Sequence, residues 1–499
     1  MDLINYFPKT RTPRPAQVSA LNFLSENWDK YKYFLIEAPV GSGKSLLAMT
    51  IASAVNNSHI LTPRRGLQDQ YRDEFPDIAV MKGRSNYPCT YTAAPEVERR
   101  VFELITKSEN ALHLTSRNCG DSPPCANENT RIKCQSAREC PFARVVTLAQ
   151  QHKTVVHNVF SFMYHAKLGN KFEQRQSLIV DECHSLESAV RNMMTSSYRI
   201  KKLPIPDRMT LDEAKGFIMK EYEAQRRSYS EMVDLRDALE KLTGDLVIEA
   251  TNTEVRFIPY SVAGYIKSFI LDFGQKIIFM SGTIYGKKDY CRSVGIPPEE
   301  TAYISLPSDF PVGNRPVILR RSLATDNSFA SWEENKPRVK ENILKVLRIF
   351  PDVKGLIHTT SYSMMESLGD LDKRILTHDK NNLAEAIDIF TRSTEPLVLI
   401  SPAISEGFDF KDDLARFQII LRIPYPSMGS PFVARKAKEY YPWIQQQALI
   451  TFGQQIGRIV RSNTDWGKTV LLDSRFERFI KTNKTVIPKW LMDSIIFKD

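Results

Sequence analysis

Two short segments carry side chains of the kind that handle nucleoside triphosphates. The first, Ala38-Pro39-Val40-Gly41-Ser42-Gly43-Lys44-Ser45, follows an apolar run from Tyr33 to Ile36 and precedes a helix-forming one from Leu46 to Val55. A turn of small residues between strand and helix lets backbone N–H groups close around a phosphate, while Lys44 adds positive charge and Ser45 a hydroxyl for Mg²⁺. The second, Leu178-Ile179-Val180-Asp181-Glu182-Cys183-His184, sets two carboxylates at the C-terminal end of an apolar strand. There Asp181 can bind the metal and Glu182 can polarise an attacking water. Each alone has a bland explanation, a chance turn or a solvated strand end, and Ala38 replaces the first glycine of the usual phosphate-loop pattern. Together, in this order, they imply hydrolysis of a nucleoside triphosphate, with Gly41, Ser42, Gly43, Lys44 and Ser45 on its phosphates.

A chain of 499 residues is too long for one core and calls for two to four domains. With no run of 18 apolar residues and no apolar N-terminal stretch, a soluble intracellular protein is expected: cytoplasmic, or nuclear in a eukaryote. The net charge of +10 suits a polyanionic partner without specifying one. Five of the seven cysteines, Cys89, Cys119, Cys125, Cys134 and Cys140, are clustered. In a reducing compartment such a cluster suggests a metal site rather than disulfides. No two are close enough for the C-x₂₋₄-C pair of structural zinc, so the spacing favours a [4Fe–4S] cluster over zinc. Cys183 and Cys291 read as packed or structural residues.

The fold class is α/β. Residues 1–85 alternate apolar strands, including Ser58 to Thr62, with helical stretches such as that opening at Leu67-Gln68-Asp69-Gln70-Tyr71, as a parallel sheet requires. Residues 86–142 lose that rhythm and read as an insertion held by its ligands. Strand signals return within 143–189. Residues 190–252 read as a second, helical insertion, with helices expected over Leu211 to Arg227 and Tyr229 to Leu242. Residues 253–300 return to the first sheet through Lys276 to Met280, and residues 301–499 form a second α/β domain. Within it, Gln454-Gln455-Ile456-Gly457-Arg458-Ile459-Val460-Arg461 places Arg458 and Arg461 three apart on one expected helical face, a spacing that suits paired arginine fingers on a γ-phosphate.

Taken in order, these segments resemble the XPD/DinG-like branch of superfamily 2 helicases over nearly the whole chain. Tyr6-Phe7-Pro8 with Arg14 and Gln17 resembles the nucleotide-base motif, Ala38 to Ser45 motif I, and Leu61 to Gln70 motif Ia. Lys82 to Cys89 and Glu139 to Phe142 resemble the entry to and exit from the iron–sulfur domain. Asp181 to His184 is a DECH box, Ser281-Gly282-Thr283 resembles motif III, and Gly355 to Ser361 motif IV. Ser405 to Phe410, with Arg422 to Pro426, is similar to motif V, and Gln454 to Arg461 to motif VI.

The resemblance implies two RecA-like domains, the first carrying the iron–sulfur insertion and an arch-like helical insertion smaller than that of XPD. It implies ATP and Mg²⁺ between them: Lys44, Ser45, Asp181, Glu182, Gln454, Arg458 and Arg461 at the phosphates, Ser45 and Asp181 on Mg²⁺, Arg14 and Gln17 near the adenine, and Asp409 in motif V. Four thiolates are implied for the cluster: Cys89, Cys134 and Cys140, with Cys125 or else Cys119. Partners would be single-stranded and forked duplex DNA, met by Thr62, Arg64, Thr359, Thr360 and Ser405. A monomer outside the membrane is expected. The implied activity is an ATP-dependent DNA helicase travelling 5′→3′ and unwinding duplex or DNA–RNA hybrid. The alternative is a DNA-stimulated translocase that remodels nucleoprotein or R-loops without processive unwinding.

Overall fold

The computed structural model describes residues 1–87, 140–169, 171–201, 209–405, 408 and 410–499. In chain order the strands are β1 (Tyr33–Glu37), β2 (Ser58–Thr62), β3 (Ala79–Met81), β4 (Thr154–Asn158), β5 (Arg175–Asp181), β6 (Ser196–Arg199), β7 (Leu246–Thr251), β8 (Glu254–Pro259), β9 (Gly274–Ser281) and β10 (Thr301–Ser305). They continue with β11 (Val317–Arg320), β12 (Gly355–His358), β13 (Ile375–Leu376), β14 (Val398–Ser401), β15 (Phe417–Ile420), β16 (Lys468–Leu471) and β17 (Ile495–Lys498). Two seven-stranded parallel sheets result, one ordered β10-β1-β9-β5-β2-β4-β3 and the other β13-β14-β12-β15-β16-β11-β17. The chain thus has the α/β architecture of two parallel-sheet domains.

The apolar runs form these strands because helices cover both faces, so successive side chains must all be buried. In β1, Tyr33 and Leu35 join one core cluster with Ile277 and Phe279, while Phe34 and Ile36 join the cluster on the other face with Ile278 and Met280. The register Phe34↔Ile278 and Leu35↔Phe279 keeps the two sets apart. β9 lies between β1 and β5, so the loop after β1 and the carboxylates after β5 emerge at the same sheet edge, the C-terminal one, where ligands of parallel sheets bind.

Between β5 and β9 the structure departs from an all-helical insertion. Helices Leu211–Ala224 and Tyr229–Glu240 do form. Each starts at a capping box, Thr210 with Glu213 and Ser228 with Glu231. They pack on an antiparallel sheet, β6-β8-β7, through a separate core around Ile218, Leu235 and Phe257. The boundary at 252 is therefore too early: β8 belongs to this small sheet, and its alternation of Val255 and Phe257 with polar neighbours is the period-2 signature of a half-buried strand. A second correction concerns residue 301. β10 pairs with β1 at the edge of the first sheet, so the first domain runs past residue 300; short and partly polar, this edge strand gave little signal.

The small sheet also meets the second domain. Val247 and Ile258 pack with Phe432, Trp443 and Ile444, the Arg435 guanidinium grips both oxygens of Asp245, and Ser430 Oγ donates to Glu249.

The two ends of segment 88–139 stand together. Tyr87 Oη accepts the Lys82 N–H at 3.1 Å. Its ring lies 5.7 Å from that of Phe142, which Arg84 covers at 5.2 Å. Cys140 is half-buried just before the helix Pro141–Gln151.

Candidate active site

The phosphate loop is built as its glycines demand. Gly41 and Gly43 have φ of +78° and +80°, where a side chain is strained. A Cβ on Gly41 would overlap Phe310, and one on Gly43 would overlap Gln17. Ser42 Oγ is buried without a hydrogen-bond partner, a donor poised for an anion's oxygen. Lys44 opens the helix Lys44–Val55, so the loop's N–H groups and the helix N-terminus face one place.

Arg14 and Gln17 sit against this loop. Gln17 Nε2 donates to the Gly43 carbonyl at 3.2 Å and Arg14 Nη1 to the Gly41 carbonyl. Both thereby pin loop carbonyls, and Gln17 Oε1 also accepts the Arg14 N–H at 2.9 Å, which caps the helix Pro15–Asn27.

Across the sheet edge, Asp181 is fully buried. Its Oδ1 accepts the Glu182 N–H and its Oδ2 the Tyr71 hydroxyl, both at 3.0 Å. Burial, with the Glu182 charge beside it, pushes Asp181 up to about 6. Glu182 adopts a left-handed φ of +53°, aiming its carboxylate into the cleft. Burial opposes its charge, but Lys44 Nζ at 3.2 Å and His184 at 3.3 Å outweigh this and hold Glu182 well below the usual carboxylate range. Ser45 Oγ and the Asp181 carboxylate border one cleft as hard oxygen donors, a set that fits Mg²⁺.

The second domain closes that cleft. About 550 Å³ of space is bordered by Gly41, Gly43, Lys44, Ser45, Asp181 and Glu182 on one side and by Gln454, Arg458 and Arg461 on the other. The helix Tyr441–Ile456 ends at Gly457, so Arg458 and Arg461 do not share a helical face as expected. They lie on the turn beyond it and still reach the cleft. Arg458 is held by Gln454 through its side-chain oxygen at 3.1 Å and its carbonyl at 3.0 Å. Gln454 Nε2 in turn donates to Thr283 Oγ1 of the first domain at 3.1 Å. Asp465 accepts the Arg461 N–H at 3.0 Å and so fixes the turn.

Three residues at the site had no role in the sequence reading. His184 Nδ1 meets Ser281 Oγ at 2.8 Å and places its ring between Glu182 and Gln454. Tyr71 reaches Asp181. Glu37, at the end of β1, accepts the N–H groups of Ile284 and Tyr285 at 3.0 and 2.8 Å and the Tyr303 hydroxyl at 2.7 Å. In the sequence His184 shows only as the last residue of the DECH box, and Glu37 as an acidic residue closing an otherwise apolar strand.

The expected DNA contacts are scattered. Arg64 borders the nucleotide cleft. The hydroxyls of Thr62 and Thr359 are turned onto their own loops. Ser405 Oγ accepts from Gln455 at 3.2 Å. Thr360 Oγ1 is 3.5 Å from Arg422 Nη1, and Arg422 also donates to the carbonyls of Asn327 and Ser328. That loop, pinned further by the buried Asn327 side chain, carries Phe329 at 92% exposure. Cys89, Cys119, Cys125, Cys134 and Asp409 lie outside the described residues. Among the described ones, no three of His, Cys, Asp and Glu gather as a metal centre, and no helix is long and apolar enough to cross a membrane.

Comparison with known proteins agrees with this geometry. Residues 10–205 match the family model described as type III restriction enzyme, res subunit, and residues 343–494 that of a helicase C-terminal domain. A Caenorhabditis briggsae homolog of regulator of telomere elongation helicase 1 is 32% identical over 202 residues, 32% of this chain and 20% of the relative. The Dictyostelium discoideum general transcription and DNA repair factor IIH helicase subunit XPD is 29% identical over 30% of the chain and 23% of its own length. The Escherichia coli ATP-dependent DNA helicase YoaA is 22% identical over 44% of the chain and 36% of its own length. The matched stretch thus covers well under half of each curated relative. A solved XPD helicase superposes with a TM-score of 0.65 at 16% identity over 97% of this chain and 100% of that one. S. tokodaii Xpd4 superposes with 0.59 at 14% over the same shares.

Two parallel sheets share one phosphate cleft, with carboxylates from the first and arginines from the second. The chain is similar in fold to the solved XPD helicases and, over part of its length, in sequence to the XPD and YoaA helicases.

Proposed function

We propose that the chain is an ATP-dependent DNA helicase. The observation that carries this is the cleft itself: Lys44, Asp181 and Glu182 from one domain face Gln454, Arg458 and Arg461 from the other across space for a nucleotide. Bound Mg²⁺, held by Ser45 and Asp181, would neutralise charge on the β- and γ-phosphates. The γ-phosphate would draw Lys44 from Glu182, leaving that carboxylate free to orient the water. Its burial and left-handed backbone fix the direction in which it accepts the proton. Arg458 and Arg461 would stabilise the charge that develops in the transition state, which requires the domains to be closed. Because Gln454 touches Thr283 across the cleft, bond cleavage at the γ-phosphate is felt as a change in the domain contact.

That alternation supports translocation on single-stranded DNA, 5′→3′ by the family resemblance, with duplex or DNA–RNA hybrid unwound ahead. Phe329 beside Arg422 and Thr360 offers a base-stacking surface on the second domain. The cysteine spacing supports a [4Fe–4S] cluster on four of Cys89, Cys119, Cys125, Cys134 and Cys140; visible absorbance of anaerobically purified protein, lost on Cys89→Ser, tests it.

The primary test is ATP hydrolysis with and without single-stranded DNA, for the wild type and Glu182→Gln. Stimulation by DNA that the substitution abolishes is the expected result. Hydrolysis indifferent to DNA would overturn the DNA assignment, and hydrolysis untouched by Glu182→Gln would overturn the site. Stimulated hydrolysis without strand separation on a forked duplex would make the chain a translocase.

A further inference from the structure

Tyr71 is fully buried in the core of the first domain, on the helix Arg65–Glu74. Its ring packs with the apolar side chains on one face of the sheet, where a phenylalanine would fill the same volume. A buried hydroxyl is costly unless it is hydrogen-bonded. Here it donates to one oxygen of Asp181, while the backbone N–H of Glu182 donates to the other, each at 3.0 Å. One donor on each oxygen fixes rotation of the carboxylate about its Cβ–Cγ bond and leaves a further lone-pair direction on each oxygen for a hydrated cation.

The helix that carries Tyr71 is itself anchored. Gln68 Nε2 donates to the Met81 carbonyl at 2.8 Å. Gly66, Leu67 and Gln70 of the same helix border the nucleotide cleft. The hydroxyl therefore reaches Asp181 from a rigid wall of the site.

We propose that Tyr71 is a positioning residue that holds Asp181 in the orientation that receives Mg²⁺, an inference that rests on the ATP-hydrolysing reading. It does not border the cleft itself; it acts chiefly through Asp181, and its hydroxyl also meets Ser45, the other oxygen donor expected on Mg²⁺. Residues that orient metal ligands from behind change metal affinity by roughly 10- to 100-fold when removed. Tyr71→Phe deletes one hydroxyl and keeps the ring, so that packing is preserved while one side of a buried carboxylate loses its donor.

The experiment is equilibrium binding of a fluorescent ADP analogue across a Mg²⁺ titration, for wild type, Tyr71→Phe, Asp181→Asn and the double variant. In Tyr71→Phe the Mg²⁺ concentration at half-saturation should rise about tenfold. Binding without Mg²⁺ should be unchanged, and ATP turnover should fall chiefly in kcat. On top of Asp181→Asn the same change should add much less than in the wild type, because most of its effect passes through that carboxylate. An unchanged Mg²⁺ requirement in Tyr71→Phe, or an effect as large in the Asp181→Asn background, would overturn the role of Tyr71. A wild type that binds no nucleotide with or without Mg²⁺ would instead overturn the reading beneath it.

Discussion

The phenolic oxygen of Tyr285 occupies the space that a side chain on residue 453 would need. A Cβ built on Gly453 would overlap it and would also come within 2.8 Å of Thr283 Cγ2. Tyr285 follows β9 of the first domain, yet its ring is buried in the core of the second, beside Leu449 and Phe452. Its backbone N–H is held by Glu37, the residue immediately before the phosphate loop. Gly453 immediately precedes Gln454. The two domains are therefore joined by a ring wedged against a glycine, one residue from Gln454 on the wall of the cleft.

Gly453→Ala should force that wedge apart. Overpacking of this kind costs about 1–3 kcal/mol, so the melting temperature should drop by several degrees and ATP turnover should fall with it. Tyr285→Phe, which removes the oxygen nearest the new methyl group, should restore part of the loss. Calorimetry on the two single variants and the double reads both effects; absence of any restoration would mean that the collision lies elsewhere.

The arginines of the second domain should matter for the chemical step more than for nucleotide binding. Arg458→Ala and Arg461→Ala are expected to lower kcat by about 10³-fold, as loss of an arginine finger does, with a small change in the affinity for ADP. Arg458→Ala should also remove the two hydrogen bonds it makes to Gln454, so its effect should add only partly to that of Gln454→Ala. Steady-state ATP hydrolysis and ADP titration distinguish the two quantities.

Phe329→Ala should weaken binding of single-stranded DNA by roughly ten- to a hundredfold, the range expected for one stacked base. Hydrolysis of ATP without DNA should stay as it was, since the residue lies outside the nucleotide cleft. Fluorescence anisotropy with an oligonucleotide checks the first expectation. Phe329→Trp should bind as well as the wild type.

Three buried histidines make stability depend on pH. Burial pushes His59 down to about 3 and His358 down to about 4, and holds His157 well below its ordinary value. The unfolded chain takes up these protons near pH 6.5, while the folded chain does not. The stability they allow is complete above that value and is lost as the pH falls towards 4, by up to about 1.4 kcal/mol per pH unit for each group. Urea unfolding at pH 7.5, 6 and 5 should show midpoints falling in that order. In His358→Asn the fall should be shallower.

The central strands of the first sheet and the phosphate loop were legible in the chain because both are local. β1 and β9 are short apolar runs buried on both faces, and a loop of small residues before a lysine needs no distant partner to be recognised. What escaped was set by contacts between residues far apart in sequence. Tyr71 looked like one more helical residue until Asp181 was brought to it, and Tyr285 like the end of a strand until Gly453 received it. The arginines were expected on a helix because Gly457 alone does not announce where a helix stops. Arg14 and Gln17, read toward the adenine, also donate to carbonyls of the phosphate loop, contacts 27 and 26 residues apart in sequence.

The paired rings of Tyr87 and Phe142 have a consequence for how such a chain can vary. They fasten two residues 55 apart in sequence to one spot beside β3 and β4, so the first domain's sheet is closed around both ends of the stretch between them. Lineages could lengthen, shorten or exchange that stretch as a cassette, provided both fasteners were kept. A change at either fastener would be felt by the sheet itself.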